Sequence, residues 1–212
     1  MKKTNKPETL QGNPQGNPRV VLASKSAVRA QLLRDAGLDF ACAPAAVDEA
    51  EIKSAMKAEP VEAVAQALAE MKARHVSRKF PDALVIGADQ ILECDGARYD
   101  KPADLNQARK QLAALRGRPH DLVSAAMVVR DGVRLWHHVD RVRLEMRPFS
   151  DAFLDAYLAS IGEAALMSVG SYQLEGRGAQ LFSRVRGDYF TILGLPLLPL
   201  LGFLREQGAL TQ

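Results

Sequence analysis

Apolar and polar positions alternate along this chain in two different periods. Val20-Val21-Leu22-Ala23 is a short apolar run that predicts a buried strand. From Ser26 to Ala36 the period changes to that of a helix, with Val28, Leu32, Leu33 and Ala36 on one face and Gly37 as the residue that ends it. Leu38, Phe40 and Cys42 alternate as a second strand, and Asp48-Glu49 then falls in an expected loop. Val61, Val64, Ala65, Leu68 and Met71 recur at helical spacing as far as about Val76. Ala83-Leu-Val-Ile-Gly-Ala-Asp89 predicts a buried strand that delivers a carboxylate at its end, and Asp95-Gly96 predicts a hairpin turn just beyond.

The second half continues the mixture. Asp104 and Gln107 form a D-x-x-Q cap that opens a helix carrying Leu105, Ala108, Leu112 and Leu115, closed near Gly117. Strands over 121–130 and 133–146 flank Asp131-Gly132. Ser150 caps a helix carrying Phe153, Leu154, Tyr157, Leu158 and Ile161. A glycine-rich loop, Gly170–Gly178, precedes a strand near 179–185, and Leu195-Pro196 starts a last apolar helix. Strands and helices that mingle in this way predict an α/β fold with a mixed sheet. Residues 1–18 offer almost nothing to bury and predict a disordered tail, leaving 19–212 as a single domain.

Composition narrows the class. The 212 residues are 47% hydrophobic and 25% charged, which is ordinary for a globular protein. A net charge of +3 is too small to argue for nucleic acid, and the few aromatics are not interleaved with Lys or Arg. Cys42 and Cys94 are far apart with no C-x-x-C, which argues against a disulfide framework or a zinc site and fits a reducing cytoplasm. His75, His120, His137 and His138 lack the H-x-x-x-H spacing of a helical metal site. No apolar run reaches membrane-spanning length, and no secretory signal follows the basic start, so neither membrane nor export is expected.

Candidate chemistry sits in a few clusters. Ser24 and Ser26 stand between a strand and a helix N-terminus, with Arg29 one turn in. Free N–H groups, hydroxyls and a guanidinium at that spot make a phosphate cradle. The same residues also suit a plain helix cap beside a surface arginine. Glu49 and Asp89, brought together, would hold Mg²⁺ between protein and phosphate oxygens, or activate water. Lys72 lies one residue past its helix's apolar stripe, and Pro102 holds Lys101 in an extended segment. Both lysines are point charges suited to phosphate. There is no Walker A sequence, no dinucleotide fingerprint in the glycine-rich loop and no set of glutamates resembling a Nudix box.

Taken in order, the clusters resemble the Maf family of nucleoside triphosphate pyrophosphatases over roughly residues 19–207. The matching pieces are Leu22-Ala23-Ser24-x-Ser26-x-x-Arg29, Val47-Asp48-Glu49, Glu70-x-Lys72-Ala73, Gly87-Ala88-Asp89-Gln90, Lys101-Pro102, Gly170-Ser-Tyr-x-x-Glu175-Gly176 and Gly187-Asp188-Tyr189 to Gly194-Leu195-Pro196. The resemblance implies an elongated mixed sheet flanked by helices, two lobes around a cleft as in inosine-triphosphate pyrophosphatases, a divalent cation (Mg²⁺ or Mn²⁺) and often a homodimer. It implies Asp89 as the catalytic proton acceptor, and Ser24, Ser26, Arg29, Glu49, Lys72 and Lys101 around the triphosphate and metal. Gln90 and Glu175 match positions associated with substrate choice. Gln and Glu there resemble the 7-methyl-GTP subfamily more than the dTTP and UTP subfamily. Val28 departs from both, which often carry Arg or Trp at that position, and Lys25-Ser26-Ala27 replaces the usual small-Ser-Pro.

The expected activity is therefore hydrolysis of a nucleoside triphosphate to monophosphate and pyrophosphate in the cytoplasm, with nucleotide-pool cleansing as its role. The rival expectation is a nucleotide-binding regulator of septum formation with little catalysis.

Overall fold

A computed structural model describes residues 17–211. The tail expected over residues 1–18 therefore lies, except for Asn17 and Pro18, outside the described residues. In chain order the elements are β1 (Val20–Leu22), α1 (Ala27–Asp35), β2 (Ala41–Cys42), α2 (Glu49–Ala55), α3 (Val61–Ser77), β3 (Leu84–Cys94), β4 (Ala97–Tyr99), α4 (Leu105–Leu115), β5 (Pro119–Arg130), β6 (Val133–Met146), α5 (Asp151–Ile161), β7 (Phe182–Arg186), α6 (Tyr189–Ile192) and α7 (Leu197–Glu206). Short 3₁₀ turns cover Gly162–Leu166, Val169–Ser171 and Arg177–Leu181. The result is an open mixed sheet flanked by helices, with strand order β2-β1-β3-β5-β6-β7 and β4 paired with β3. No helix among the described residues is long and apolar enough to cross a membrane.

Most boundaries follow from local chemistry. Ser26, Asp104 and Ser150 each cap a helix by accepting a main-chain N–H three residues on. Asp95-Gly96 and Asp131-Gly132 both adopt positive φ, as tight hairpin turns require. Four expectations need correction. Asp48-Glu49 is not a loop: Asp48 caps α2 through the N–H groups of Ala50 and Glu51, and Glu49 is the first helical residue. That helix buries no residue, so no apolar stripe announced it. The strand carrying Asp89 does not end there but runs on to Cys94. The loop after Gly170 coils into 3₁₀ turns as far as Leu181, so β7 starts later than the expected 179. The alternating strand expected over Leu38–Cys42 narrows to the two residues of β2.

The length of β3 organises everything else. One edge pairs with β5 continuously from Val85 to Glu93. The other edge is shared. It pairs in parallel with β1 only at Leu84–Ile86, and in antiparallel with β4 only at Leu92–Cys94. Between these, Gly87–Ile91 have no strand partner on that edge. The gap is where Asp89 and Gln90 lie, on opposite faces of the strand.

The two faces are packed differently. On one, α3 covers small and branched residues, including Val85, Ile91, Ala125 and Met127. On the other, one apolar cluster joins α1 and α7 to Leu84, Ile86 and Ala88, and a second joins α4 and α5 to Leu92, Cys94 and Leu122. A polar row, Gln90, Ser124 and Asp140 on adjacent paired strands, separates these two clusters. Thr191 of α6 covers this row, bonding Asp140 Oδ2 at 2.8 Å.

Gly87 sets how near α3 comes. A Cβ at that position would stand 2.1 Å from the Ala69 carbonyl oxygen and 2.8 Å from the Ala73 nitrogen. Gly87→Ala should therefore cost about 1–3 kcal/mol, the usual penalty for overpacking a core. Urea unfolding of the variant measures this, and an unchanged midpoint would show that α3 shifts freely.

Candidate active site

The site is built from the gap outward. Asp89 is only 5% exposed, on the face covered by α3. The close approach allowed by Gly87 brings Lys72 over it, with Nζ 2.5 Å from Asp89 Oδ1. The same Nζ lies 2.8 Å from Glu49 Oε1, so one lysine bridges two carboxylates from different elements. Asp89 Oδ2 is buried and accepts no hydrogen bond. Burial pushes the Asp89 carboxyl above the usual carboxylate range, against the pull of Lys72 and Arg29. Burial also acts to raise Glu49, but the Lys72 hydrogen bond and the charges of Lys72, Lys53 and Arg29 outweigh it and hold Glu49 below its ordinary value.

Arg29 works as a strap across the same gap. Its Nη1 donates to the Ala88 carbonyl at 2.9 Å, an acceptor on the unpaired edge of β3, and to Ser24 Oγ at 3.3 Å. Its Nε donates to the Gly194 carbonyl at 2.7 Å. These bonds tie α1, β3 and the segment after α6 together, leaving Nη2 as the guanidinium end for a ligand. Ser24 Oγ also accepts the Ser26 N–H at 3.2 Å, so its own hydrogen is available to an anion.

All ten side chains singled out from the sequence, namely Ser24, Ser26, Val28, Arg29, Glu49, Lys72, Asp89, Gln90, Lys101 and Glu175, line one cleft of about 590 Å³. That size suits a small-molecule ligand. The cationic groups gather near Asp89, whereas Val28, Met167, Val169, Leu174 and Leu193 give other parts of the wall an apolar character. Desolvation by the walls, with Arg29 and Lys72 close by, lowers the Lys101 pKa, while Glu49 and Asp89 pull it back.

Other lining residues carried no signal on their own. Lys53 and Asp100 form an ion pair at the cleft, and Lys53 also lies 3.9 Å from Glu49. The i,i+4 spacing of Glu49 and Lys53 was visible, but only once α2 is known to be a helix. Gln90 is held from behind. Its Nε2 lies 3.0 Å from Ser124 Oγ, the Thr191 carbonyl and the Ile192 carbonyl alike. Two main-chain oxygens there exclude the flipped amide, so Gln90 turns its Oε1, an acceptor, away from the anchor.

A family model for Maf-like proteins matches residues 19–207. The chain belongs to the Maf family. A "Nucleoside triphosphate pyrophosphatase" from Granulibacter bethesdensis is 54% identical over 91% of this chain and 99% of that protein. A protein of the same name from Paramagnetospirillum magneticum is 56% identical over 90% of the chain and 99% of its own length. A "7-methyl-GTP pyrophosphatase" from Rhizobium meliloti is 50% identical over 91% of the chain and 98% of its own length. This Maf protein is thus similar across nearly its whole length to relatives carrying both names.

Behind the cleft wall, Tyr172 bonds His120, with OH and Nε2 2.8 Å apart. His120 is 2% exposed, and burial drives its pKa down from 6.5 to about 4. The folded protein therefore refuses a proton that the unfolded chain accepts. Stability is fully present above pH 6.5 and is lost as pH falls toward about 4, by on the order of 3 kcal/mol. Denaturant unfolding at pH 7 and pH 5 should show part of this loss, and His120→Phe should flatten the dependence between those values. An equal slope in the variant would place the titration elsewhere.

Proposed function

We propose that this Maf-family enzyme hydrolyses nucleoside triphosphates between the α- and β-phosphates, giving monophosphate and pyrophosphate, with a divalent cation and with guanine-type bases favoured. Its assignment as a nucleoside triphosphate pyrophosphatase rests on the family; the metal and the base are the proposal. The observation that carries it is Asp89: buried in a break of the sheet edge, one oxygen on Lys72, the other without a partner, and cations around it.

The donors present fit a hard cation. Among the described residues no group of three His, Cys, Asp or Glu could hold a metal by itself. Asp89 Oδ2 and the cleft-facing Glu49 supply two carboxylate oxygens, and substrate phosphates and water would complete the shell, as is usual for Mg²⁺. When bound, such a cation supplies charge neutralisation on the phosphate oxygens and a lowered pKa for nearby water. The protein's own residues do the rest. Lys101, the outer end of Arg29 and the Ser24 hydroxyl bind and orient the phosphate chain, so that little positional entropy remains to be lost. Lys72 keeps Asp89 and Glu49 close in spite of their like charge. Asp89, with its raised pKa, is suited to accept a proton from the attacking water.

The Gln90 Oε1 and the Glu175 carboxylate are both acceptors. A guanine offers N1–H and N2–H₂ donors to such a pair, and a cationic 7-methylguanine would strengthen the bonds through charge assistance. Val28 provides no aromatic platform, so selectivity for the methylated base should be modest. Removing abnormal nucleotides from the pool fits this breadth. A purely regulatory role would leave the buried, unpartnered Asp89 oxygen without a use.

Asp89→Asn should remain folded though less stable, since Lys72 keeps Glu49 as a partner, and lose roughly 10²–10⁴-fold in kcat, the range typical of an acid–base group. Chelation of divalent cations should stop pyrophosphate release by the wild-type enzyme, and Mg²⁺ or Mn²⁺ should restore it. Near-normal turnover in the variant would remove Asp89 from the chemistry.

Glu175→Gln should move the ratio of kcat/KM from GTP toward UTP and dTTP. A wild-type enzyme that already prefers UTP and dTTP tenfold would contradict the acceptor argument while leaving the pyrophosphatase assignment standing.

A further inference from the structure

Gln111 lies on α4, outside the cleft lining and 8% exposed. Its amide is used at both ends. Nε2 donates to the Asp100 carbonyl at 2.8 Å, and Oε1 accepts from Ser171 Oγ at 3.0 Å. The flipped amide would set two carbonyl oxygens against each other at the Asp100 end, so the orientation is decided by the bonds themselves. Asp100 immediately precedes Lys101. Ser171 belongs to the 3₁₀ turn leading into Tyr172–Glu175. One buried side chain therefore joins the segment carrying a cleft lysine to the segment carrying the carboxylate assigned to the base.

Both contacts bear on irregular backbone outside the sheet and the long helices. Residues 100–104 form no helix or strand, and Asp100 is otherwise held by the exposed Lys53 ion pair. Ser171 is fully buried at φ 63°, a conformation that a residue with a Cβ adopts only under local constraint. Its hydroxyl on Gln111 and its main-chain N–H on the Ser168 carbonyl provide that constraint. The Ser168 hydroxyl adds a second tie to the Tyr172 carbonyl at 2.6 Å.

We propose that Gln111 is a positioning residue that sets the spacing between the triphosphate and base ends of the cleft, acting through Lys101 and Glu175. It touches no substrate. This rests on the reading that Lys101 faces phosphate and Glu175 faces the base. A nucleotide that engages both ends gains from a preset spacing, whereas inorganic tripolyphosphate, which has no base, gains only at the lysine end.

The test is a double-mutant cycle on the full-length enzyme with GTP, UTP and tripolyphosphate. Gln111→Met keeps the volume and removes both hydrogen bonds. It should raise KM for GTP at least fivefold, lower the GTP-to-UTP ratio of kcat/KM at least threefold, and change KM for tripolyphosphate less than for GTP. The KM penalty should shrink in a Lys101→Ala background, and the loss of selectivity should shrink in a Glu175→Gln background, because coupled residues are not additive. Kinetics of Gln111→Met that match wild type, or penalties that persist unchanged in both backgrounds, would overturn the proposal.

If Gln111→Met does not fold, Ser171→Gly removes the hydroxyl and suits the positive φ. It should lower the GTP-to-UTP ratio with little change in KM for tripolyphosphate, and an unaltered ratio would equally overturn the proposal. Wild-type kinetics in both Lys101→Ala and Glu175→Gln alone would instead defeat the reading of the cleft on which the inference stands, and the inference with it.

Discussion

The pairing of Lys72 with Asp89 is the interaction on which the site depends. A carboxylate at the centre of a sheet, covered by a helix, is costly to desolvate. A lysine at 2.5 Å offsets that cost, and only because α3 lies against the strand where Gly87 carries no side chain. Removing one partner of such a buried pair typically costs about 3–5 kcal/mol, since the other charge is left stranded. The pair is thus both part of the core and part of the proposed chemistry. The same lysine reaches Glu49 on α2, so the position of a short helix with no fully buried residue is set by charge as well as by the packing of Ile52.

The second constraint is topological. A β-strand edge without a partner exposes main-chain N–H and C=O groups, which proteins normally cover. Here the exposed stretch is five residues of β3 between the end of β1 and the start of β4. It is closed by a side chain: Arg29 donates to Ala88 on the edge and to Gly194 beyond it. The break in pairing gives the cleft access to a strand that would otherwise be shut on both edges. Asp89 and Gln90 are consecutive, point to opposite faces, and still reach the same opening. One face delivers the carboxylate paired with Lys72, and the other delivers the amide anchored on Ser124 and α6.

The sequence made much of this readable, and its failures have physical causes. Helices with an apolar stripe and a side-chain cap, such as α1, α4 and α5, were legible to within a few residues. The two hairpins were legible from Asp-Gly. Elements held by polar contacts were not. No stripe marks α2 because nothing in it is buried. The extension of β3 past Asp89 was hidden because Gln90 faces a polar row rather than a core. The ten site residues were legible as clusters, since strand ends, caps and carboxylates have local signatures. Their meeting in one cleft was legible only through the family resemblance and not from local pattern, because contacts such as that of Arg29 with Gly194 span 165 residues. Arg29 shows the limit most plainly. Sequence pattern allowed either a phosphate ligand or a surface residue, and its main-chain bonds show a third role as a strap.

The polar row Gln90–Ser124–Asp140 explains why one face of a continuous sheet carries two apolar clusters rather than one. An apolar residue at each of these positions would fuse the clusters on that face into a single core. Instead the row satisfies itself internally and with Thr191, and the Gln90 amide spends its donors there. An amide whose donors are used up can only accept from a ligand. The specificity proposed for the base is therefore a by-product of how the two clusters are separated. The polar groups that keep the clusters apart are the ones that decide which face of Gln90 the cleft sees. A change that made the row apolar would be expected to alter substrate choice and the separation of the two clusters together, since both depend on the same three strands and one short helix.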